Sequence, residues 1–546
     1  MGFGFNLRFT SRVCLPLYVL LAGCLLLPML TVTLTTGCIG QAHRQPTGMF
    51  RMNLGTEPPS LDPVEIIDLV SVTVVYQVMK GLTRYTDHQR IVGAYASSWD
   101  VSPDGKTYTF HLRRNGVWSD GKPVVAGDFL YGWQRVLDPK RGAPYAFLLF
   151  TIKNAEAYYK GELSTFSQVG VKALDDYTLR VELAKPYAYF LQIMAFPTTL
   201  PQRQDLIERW GERFTEADHF VGNGPYLLEE WTHDEQIVLK PNPTYFETPP
   251  QNNGVVMLMI PEPNTSLMMY ESNELDFVET ESSLPIKEVR RLKGRPDFHQ
   301  NPLYAIAYTG FNTQKPPFDD ARVRRAFTQS IDKSWFNRIF QGGQQAFGGF
   351  IAPGLFGYNP HAGLSFDVAA ARRALAEAGY PNGKGFPTVE FLYANTTPEN
   401  RQLSEILQYQ WQKNLNVTVD LHSVEWKVYL RQLKEDPPHV YRLRWFVDYP
   451  DPDSFMGLFH SNNGNNFTRW HNPQYDTWVS QAATELDPAR RQALYNQAQH
   501  KLLVDDTAIG PLFVMSKSYL IKPTVQGFSL DELNVVDLSN VRLNAQ

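Results

Sequence analysis

The chain has 546 residues, more than one ordinary hydrophobic core organises, so two or three domains are expected. Apolar residues make up 43% and charged residues 20%, a globular balance that excludes a disordered chain. With a net charge of −5 and no run of five or more basic residues, nothing points to a nucleic-acid partner. Aromatic residues reach 13%; most suit core packing, and the same content suits a large site lined with rings.

The first segment reads as a targeting signal. Arg8 and Arg12 supply a positive start, residues 13–42 carry no charge, and the apolar part runs to about Leu34. Small residues, Thr35-Thr36-Gly37, then precede Cys38, and the chain turns polar. This is the pattern of a bacterial export signal of the lipoprotein type. An ordinary cleaved signal and a retained membrane anchor are the alternatives, since the apolar run is long. Leu21-Ala22-Gly23-Cys24 fits a lipobox by its letters but lies within the apolar run. Cys38 stands at the apolar-to-polar boundary and is the preferred lipidation site, with Cys24 as the alternative. Cys14, Cys24 and Cys38 are the only cysteines, so the exported body has no disulfide, thiol nucleophile or cysteine-based metal or redox motif.

Along that body, residues 49–54 read as a strand, followed by a rigid turn, Gly55 to Pro63, in which Glu57 offers a carboxylate. A helix is expected over about 69–79. Residues 93–128 look hairpin-like: Ser102-Pro103-Asp104-Gly105 marks a turn, and Tyr108, Phe110 and Leu112 alternate along one strand face. Asp128 is expected to cap a helix holding Tyr131, Trp133 and Val136. Leu179 to Leu183 is a further strand. Gly222-Asn223-Gly224-Pro225-Tyr226 is a glycine-rich loop without the Gly-Lys-Ser/Thr that phosphate binding needs.

From about Lys315 the pattern becomes α/β. Asp319 and Asp320 precede a helix with Val323, Ala326, Phe327 and Ile331 at helical spacing. An alanine-rich helix over 367–378 stops at Gly379. Strand 388–393, helix about 400–413, strand 417–421, helix about 426–433 and strand 440–447 then alternate, which predicts a parallel sheet. A helix follows over about 488–505, capped by Asp487, and residues 511–521 read as a strand returning to the first domain.

Strand 440–447 stops at Asp448, after which Pro450 and Pro452 forbid regular structure. In open α/β sheets ligands sit outside the carboxyl ends of strands, and both Asn395 and Asp448 fall at such ends. A single acid delivered there suits a cationic group, such as the free amine of a peptide, and Arg442 and Arg444 supply opposite charge nearby. Asp448, Asp451 and Asp453 lack the glycine and distal glutamate of an EF-hand loop, so no metal site is read. No Gly-x-Ser-x-Gly, His-Glu-x-x-His or Walker sequence occurs, which favours a binding module over an enzyme.

Several segments taken in order resemble a known family: the export signal, Gly55 to Pro63, Tyr108 to Val124, Asp128 to Arg135 and Gly222 to Tyr226. Asn312 to Phe318, Asp320 to Arg324 and the Trp-x-x-Asp of Trp445 to Asp448 complete the series. Together they resemble the family 5 extracellular solute-binding proteins of ABC importers, most of all the oligopeptide-binding members. The resemblance covers nearly all of the chain after residue 48. It implies an α/β fold of the type II periplasmic-binding-protein kind, two α/β lobes with a hinge plus an inserted third domain. After the signal segment at 1–37, domain I would comprise 38–80, 204–310 and 515–546. Domain II would be 81–203 and domain III 311–514.

The resemblance implies a monomer in the periplasm or cell envelope, held to a membrane by its N-terminal lipid or anchor. It would have no cofactor and would deliver peptides to a membrane permease. Asp448 falls where peptide-binding members hold the α-ammonium, and Arg442 where they offer a cation to a short peptide's carboxylate. Trp445 matches a pocket-lining tryptophan, and Tyr145 a ligand-contacting tyrosine. Relatives that carry murein peptides, nickel chelates, haem or sugars define the alternative. Two departures stand out: Arg444 occupies a position where glycine is usual, and the helix start near Asn400 lacks a carboxylate-binding histidine.

Overall fold

The computed structural model describes residues 48–544 apart from 87–89, 281–282 and 396. The signal segment, with Cys38 and Cys24, lies outside the described residues. Among those described, no helix is long and apolar enough to cross a membrane.

One eleven-stranded mixed sheet runs through the body. In one half Val389–Ala394 lies between Val419–Val424 and Val440–Phe446 and is parallel to both. Helices Pro398–Leu415 and Trp426–Glu435 make the crossovers, as the alternation predicts. The parallel pattern then ends. Val440–Phe446 pairs antiparallel with Phe298–Phe311, which pairs antiparallel with Ile509–Ile521. In the other half Ile509–Ile521 meets Phe277–Glu279, and Phe50–Asn53 is parallel to both Phe277–Glu279 and Val255–Leu258. The hairpin of Tyr226–Thr232 and Gln236–Pro241 closes that edge.

Phe298–Phe311 and Ile509–Ile521 therefore link the halves, and their register slips between Pro302 and Ile306, where proline has no N–H to give. Separate cores flank the link. Phe110, Phe129, Trp133 and Leu179 pack in one; Phe311, Phe327, Phe391 and Trp411 pack in another. Trp133 donates its indole N–H to the Thr199 carbonyl at 2.9 Å, and Trp411 donates to Phe327 at 3.0 Å, so neither buried ring strands a polar atom.

A second, antiparallel sheet holds Ala96–Val101, Thr107–Leu112, Thr178–Glu182 and Val171–Asp175. Tyr108, Phe110 and Leu112 are buried in alternation, as a half-covered strand requires. The neighbouring helix starts at Ala126 and not after Asp128. Asp128 sits inside the first turn, where its Oδ2 accepts the Val125 N–H at 3.0 Å and the Trp118 indole N–H at 2.9 Å. Its carboxylate thus serves the helix start from within, as the acidic partner of a capping box does. In the glycine-rich loop, a Cβ on Gly222 would stand 2.3 Å from the Val78 carbonyl oxygen. The Gly224 N–H donates to that oxygen at 2.9 Å, so the loop seals the helix Leu69–Val78.

Candidate functional site

Strand Val440–Phe446 places the central residues. Just beyond it the chain folds back: the Asp448 N–H donates to Ser454 Oγ at 3.0 Å, and the Trp445 indole donates to the Ser454 carbonyl at 2.7 Å. This clamp fixes the Asp448 carboxylate at the meeting of two cavities. One, about 340 Å³, is lined by Trp445, Asp448, Asp453, Tyr187, Tyr189 and Lys185 among others. The other, about 220 Å³, is lined by Tyr76, Tyr85, Tyr145, Phe196, Phe446 and Asp448 among others.

Asp448 is surrounded by protein yet faces open cavity. Loss of solvent pushes its carboxyl up from 3.8 to about 6, against the pull of a Tyr145 hydroxyl that donates to Oδ1 at 3.4 Å. Among the described residues no cation pairs with it. Burial and the facing carboxylate raise the Tyr145 hydroxyl well above its ordinary range, so it stays a donor. Phe196 packs against Tyr145 with ring centroids 4.9 Å apart and the rings tilted by 47°. Tyr145 belongs to the segment preceding Ala146–Thr151, so the structure brings together side chains 303 positions apart.

Arg442 stands at the other end of the strand. Its guanidinium donates to the Asn400 carboxamide oxygen, in the first turn of Pro398–Leu415. Loss of solvent lowers it to about 10, with Arg444 adding repulsion, so it remains a cation at neutral pH. Arg442, Arg444 and Asn400 line a third cavity of about 490 Å³.

The remaining sequence candidates lie elsewhere. Glu57 accepts from His233 Nδ1 at 2.7 Å and from the Asp234 N–H at 2.8 Å, at the turn of the Tyr226–Thr232 hairpin. Asn395 is exposed just past Val389–Ala394, and its N–H donates to the Val424 carbonyl at 3.0 Å. Neither lines the cavities at Asp448. Asp451, three positions from Asp448, is buried against Arg491 at 2.7 Å, which accounts for its charge within the protein.

The structure brings to this cavity residues that sequence reasoning did not assign to a ligand site. Asp453 shares the first cavity. Burial, then the nearby Asp451 charge, raises it to about 6, opposed by hydroxyl donors from Tyr449 and Tyr189. Tyr189 and Tyr449 stack with centroids 5.0 Å apart and form an aromatic wall. The aromatic content was the available signal, but it does not say which rings gather here.

Comparison with known proteins agrees with this architecture. The family model described as bacterial extracellular solute-binding proteins, family 5 Middle, matches residues 90–467. The periplasmic oligopeptide-binding protein OppA of Escherichia coli (strain K12) is 34% identical over 493 residues, covering 87% of this chain and 89% of that one. The oligopeptide-binding protein OppA of Bacillus subtilis (strain 168) is 33% identical over 506 residues, covering 90% and 92%. Among solved structures, the Escherichia coli murein tripeptide binding protein MppA superposes with a TM-score of 0.77 at 30% identity, covering 91% of this chain and 98% of that one. The Haemophilus influenzae OppA complex with RPPGFSPFR gives 0.74 at 29% identity, covering 91% and 99%. The chain belongs to the bacterial extracellular solute-binding proteins of family 5.

Proposed function

We propose that this protein captures short peptides in the periplasm or at the cell envelope and passes them to the permease of an ABC importer, without chemical turnover. The observation that carries the reading is Asp448: a carboxylate on a cavity wall, held by the Ser454 clamp, with a tyrosine donor and no cation among the described residues. A desolvated carboxylate calls for a partner, and a peptide's α-ammonium supplies one through charge-assisted hydrogen bonds. The printed names of the relatives, oligopeptide-binding and murein tripeptide binding, support the same ligand class.

In this reading Asp448 takes the ammonium, Tyr145 shares that carboxylate, Trp445 walls the first side-chain pocket, and Arg442 receives the terminal carboxylate. Glu57 and Asn395 stay outside the ligand contacts, in the local bonds described above. The lobes close about Phe298–Phe311 and Ile509–Ile521, with 81–203 as the inserted domain, 311–514 as domain III and the remainder as domain I. Cys38, or Cys24, carries the lipid that keeps the protein at a membrane. Peptide backbone held by strand-like bonds, with side chains in roomy hydrated pockets, permits varied sequences.

Mass spectrometry of ligands retained through gentle purification tests the ligand class. Recovery of peptides with free N-termini is expected. Recovery of sugars, haem or metal chelates instead would remove the role given to Asp448.

A further inference from the structure

The first cavity holds a second acid that the ammonium role leaves unused. Asp448 and Asp453 both line its volume of about 340 Å³, and Lys185 is the one permanent cation among the described lining residues. Lys185 is exposed, so water and salt screen it. His460, on the same wall, has an acid of its own in Asp476, at 3.9 Å. The less exposed part of the lining is therefore acidic.

Asp453 opens the short helix Asp453–Met456, and its N–H donates to Asp451 Oδ1 at 2.9 Å, which fixes its backbone. Its carboxylate accepts from the hydroxyls of Tyr449, at 3.0 Å, and Tyr189. Two such bonds leave acceptor capacity on a group with about four lone-pair sites. The arginine whose field reaches it, Arg491, is already engaged with both oxygens of Asp451. Burial first and the Asp451 charge second raise the Asp453 carboxyl to about 6. At neutral pH it is ionised, with no cation bonded to it among the described residues. Its field also reaches the wall: burial first, then Asp453, raises the hydroxyls of Tyr187, Tyr189 and Tyr449.

The Asp448 shift comes from lost solvent and Tyr145, without a contribution from Asp453, so the two carboxylates are separate anchors on one cavity. Phe147, Tyr187 and Trp445 add partly exposed rings to the lining. Such rings cover the apolar stem of a long side chain and attract its charged end. A neutral side chain would leave Asp453 desolvated and unpaired, and an acidic one would be repelled. Resting on the peptide reading above, we propose that this cavity is a cation-accepting pocket and that the favoured ligands are short peptides whose first residue is arginine or lysine. Asp448 takes the α-ammonium, and Asp453 takes the charged end of the same residue's side chain.

Titration calorimetry tests this with Arg-Ala-Ala-Ala against citrulline-Ala-Ala-Ala, in which a neutral urea of the same shape replaces the guanidinium. The wild type is expected to bind the arginine peptide about tenfold more tightly or better, the scale of one charge-assisted pair. Asp453→Asn narrows that ratio to about twofold, whereas Asp448→Asn weakens both peptides and leaves the ratio standing. Melting curves matching the parent verify that the variants fold. Should Asp453→Asn melt early, the wild type alone decides by position, since Ala-Arg-Ala-Ala and Ala-citrulline-Ala-Ala are expected to bind alike. Equal binding of the first pair by the wild type, an undiminished ratio in folded Asp453→Asn, or the same ratio at the second position overturns the proposal. Binding of the citrulline peptide that is lost on N-acetylation leaves the peptide reading standing whatever Asp453 does. Failure of every peptide to bind defeats both.

Discussion

Two aspartates three positions apart on one turn meet opposite fates. Asp451 is buried with Arg491 across a 2.7 Å ion pair, its two oxygens both accepting from one guanidinium nitrogen. Asp448 has a clamped backbone, a tyrosine hydroxyl at 3.4 Å and no cation among the described residues. The first acid is completed by the fold. The second is held in place by the fold and, in the proposed reading, is completed by the ligand. Burial alone does not single out an acid for a ligand; on the proposed reading, burial with a fixed backbone and no internal counter-charge is what singles out Asp448.

The sharpest contrast is in stability. Asp451→Ala leaves the Arg491 guanidinium buried and unpaired, and is expected to destabilise the protein by about 3–5 kcal/mol in a denaturant titration. Asp448→Asn removes a desolvated charge, so its unfolding midpoint should match or exceed the wild type. Comparable losses from both would mean that Asp448 is also a structural acid.

Binding inverts the order. Asp448→Ala is expected to weaken peptide binding by about 2–5 kcal/mol, the cost of truncating one side of a desolvated charge pair. An effect within about 0.5 kcal/mol, by calorimetry on a folded variant, would remove Asp448 from the site.

The pH dependence follows from the raised carboxyl, about 6 against an ordinary 3.8. The native state holds the Asp448 proton more tightly than the unfolded chain, so this group's contribution to stability falls as pH rises from about 3.8 to about 6. An incoming ammonium prefers the ionised form, so affinity runs the other way. It should drop about tenfold between pH 7 and pH 5, with protons released on binding near pH 6. Asp448→Asn should flatten the profile. Asp453 also titrates near 6 but faces tyrosine hydroxyls, so Asp453→Asn should keep the slope for a peptide with a neutral first residue. Tyr145→Phe is the smallest change: one neutral donor to Asp448 is lost, at about 0.5–1.5 kcal/mol of affinity, and the apparent binding pKa rises.

Much of this was legible in the sequence, for local reasons. Asp487 caps its helix as read, accepting from the Arg490 N–H at 2.8 Å, and Asp367, read as the first helical residue, proves to be the cap, accepting from the Ala370 N–H at 2.9 Å. The prolines after Asp448 announced the end of a strand, and a strand end is where an open sheet presents a side chain. What stayed hidden depends on distant partners. Phe298–Phe311, fourteen residues long, escaped notice because Asn301 and Pro302 break its apolar run, and only pairing with Ile509–Ile521 reveals it. The same central pair turns the expected parallel sheet into a mixed one. Asp128 looked like a cap because aspartate usually caps, yet Trp118 draws its carboxylate inside the helix start. Asp451 and Arg491 are 40 positions apart, so no local pattern separates the paired acid from the unpaired one.

The claim that Asp448 awaits a ligand ammonium is tested most directly by a double comparison in one calorimeter. Free and N-acetylated forms of the same peptide are titrated into wild type and Asp448→Asn. The account predicts that acetylation costs the wild type at least about tenfold in affinity and costs the variant little, because both changes remove the same ion pair. Equal affinity of the wild type for both forms would contradict it.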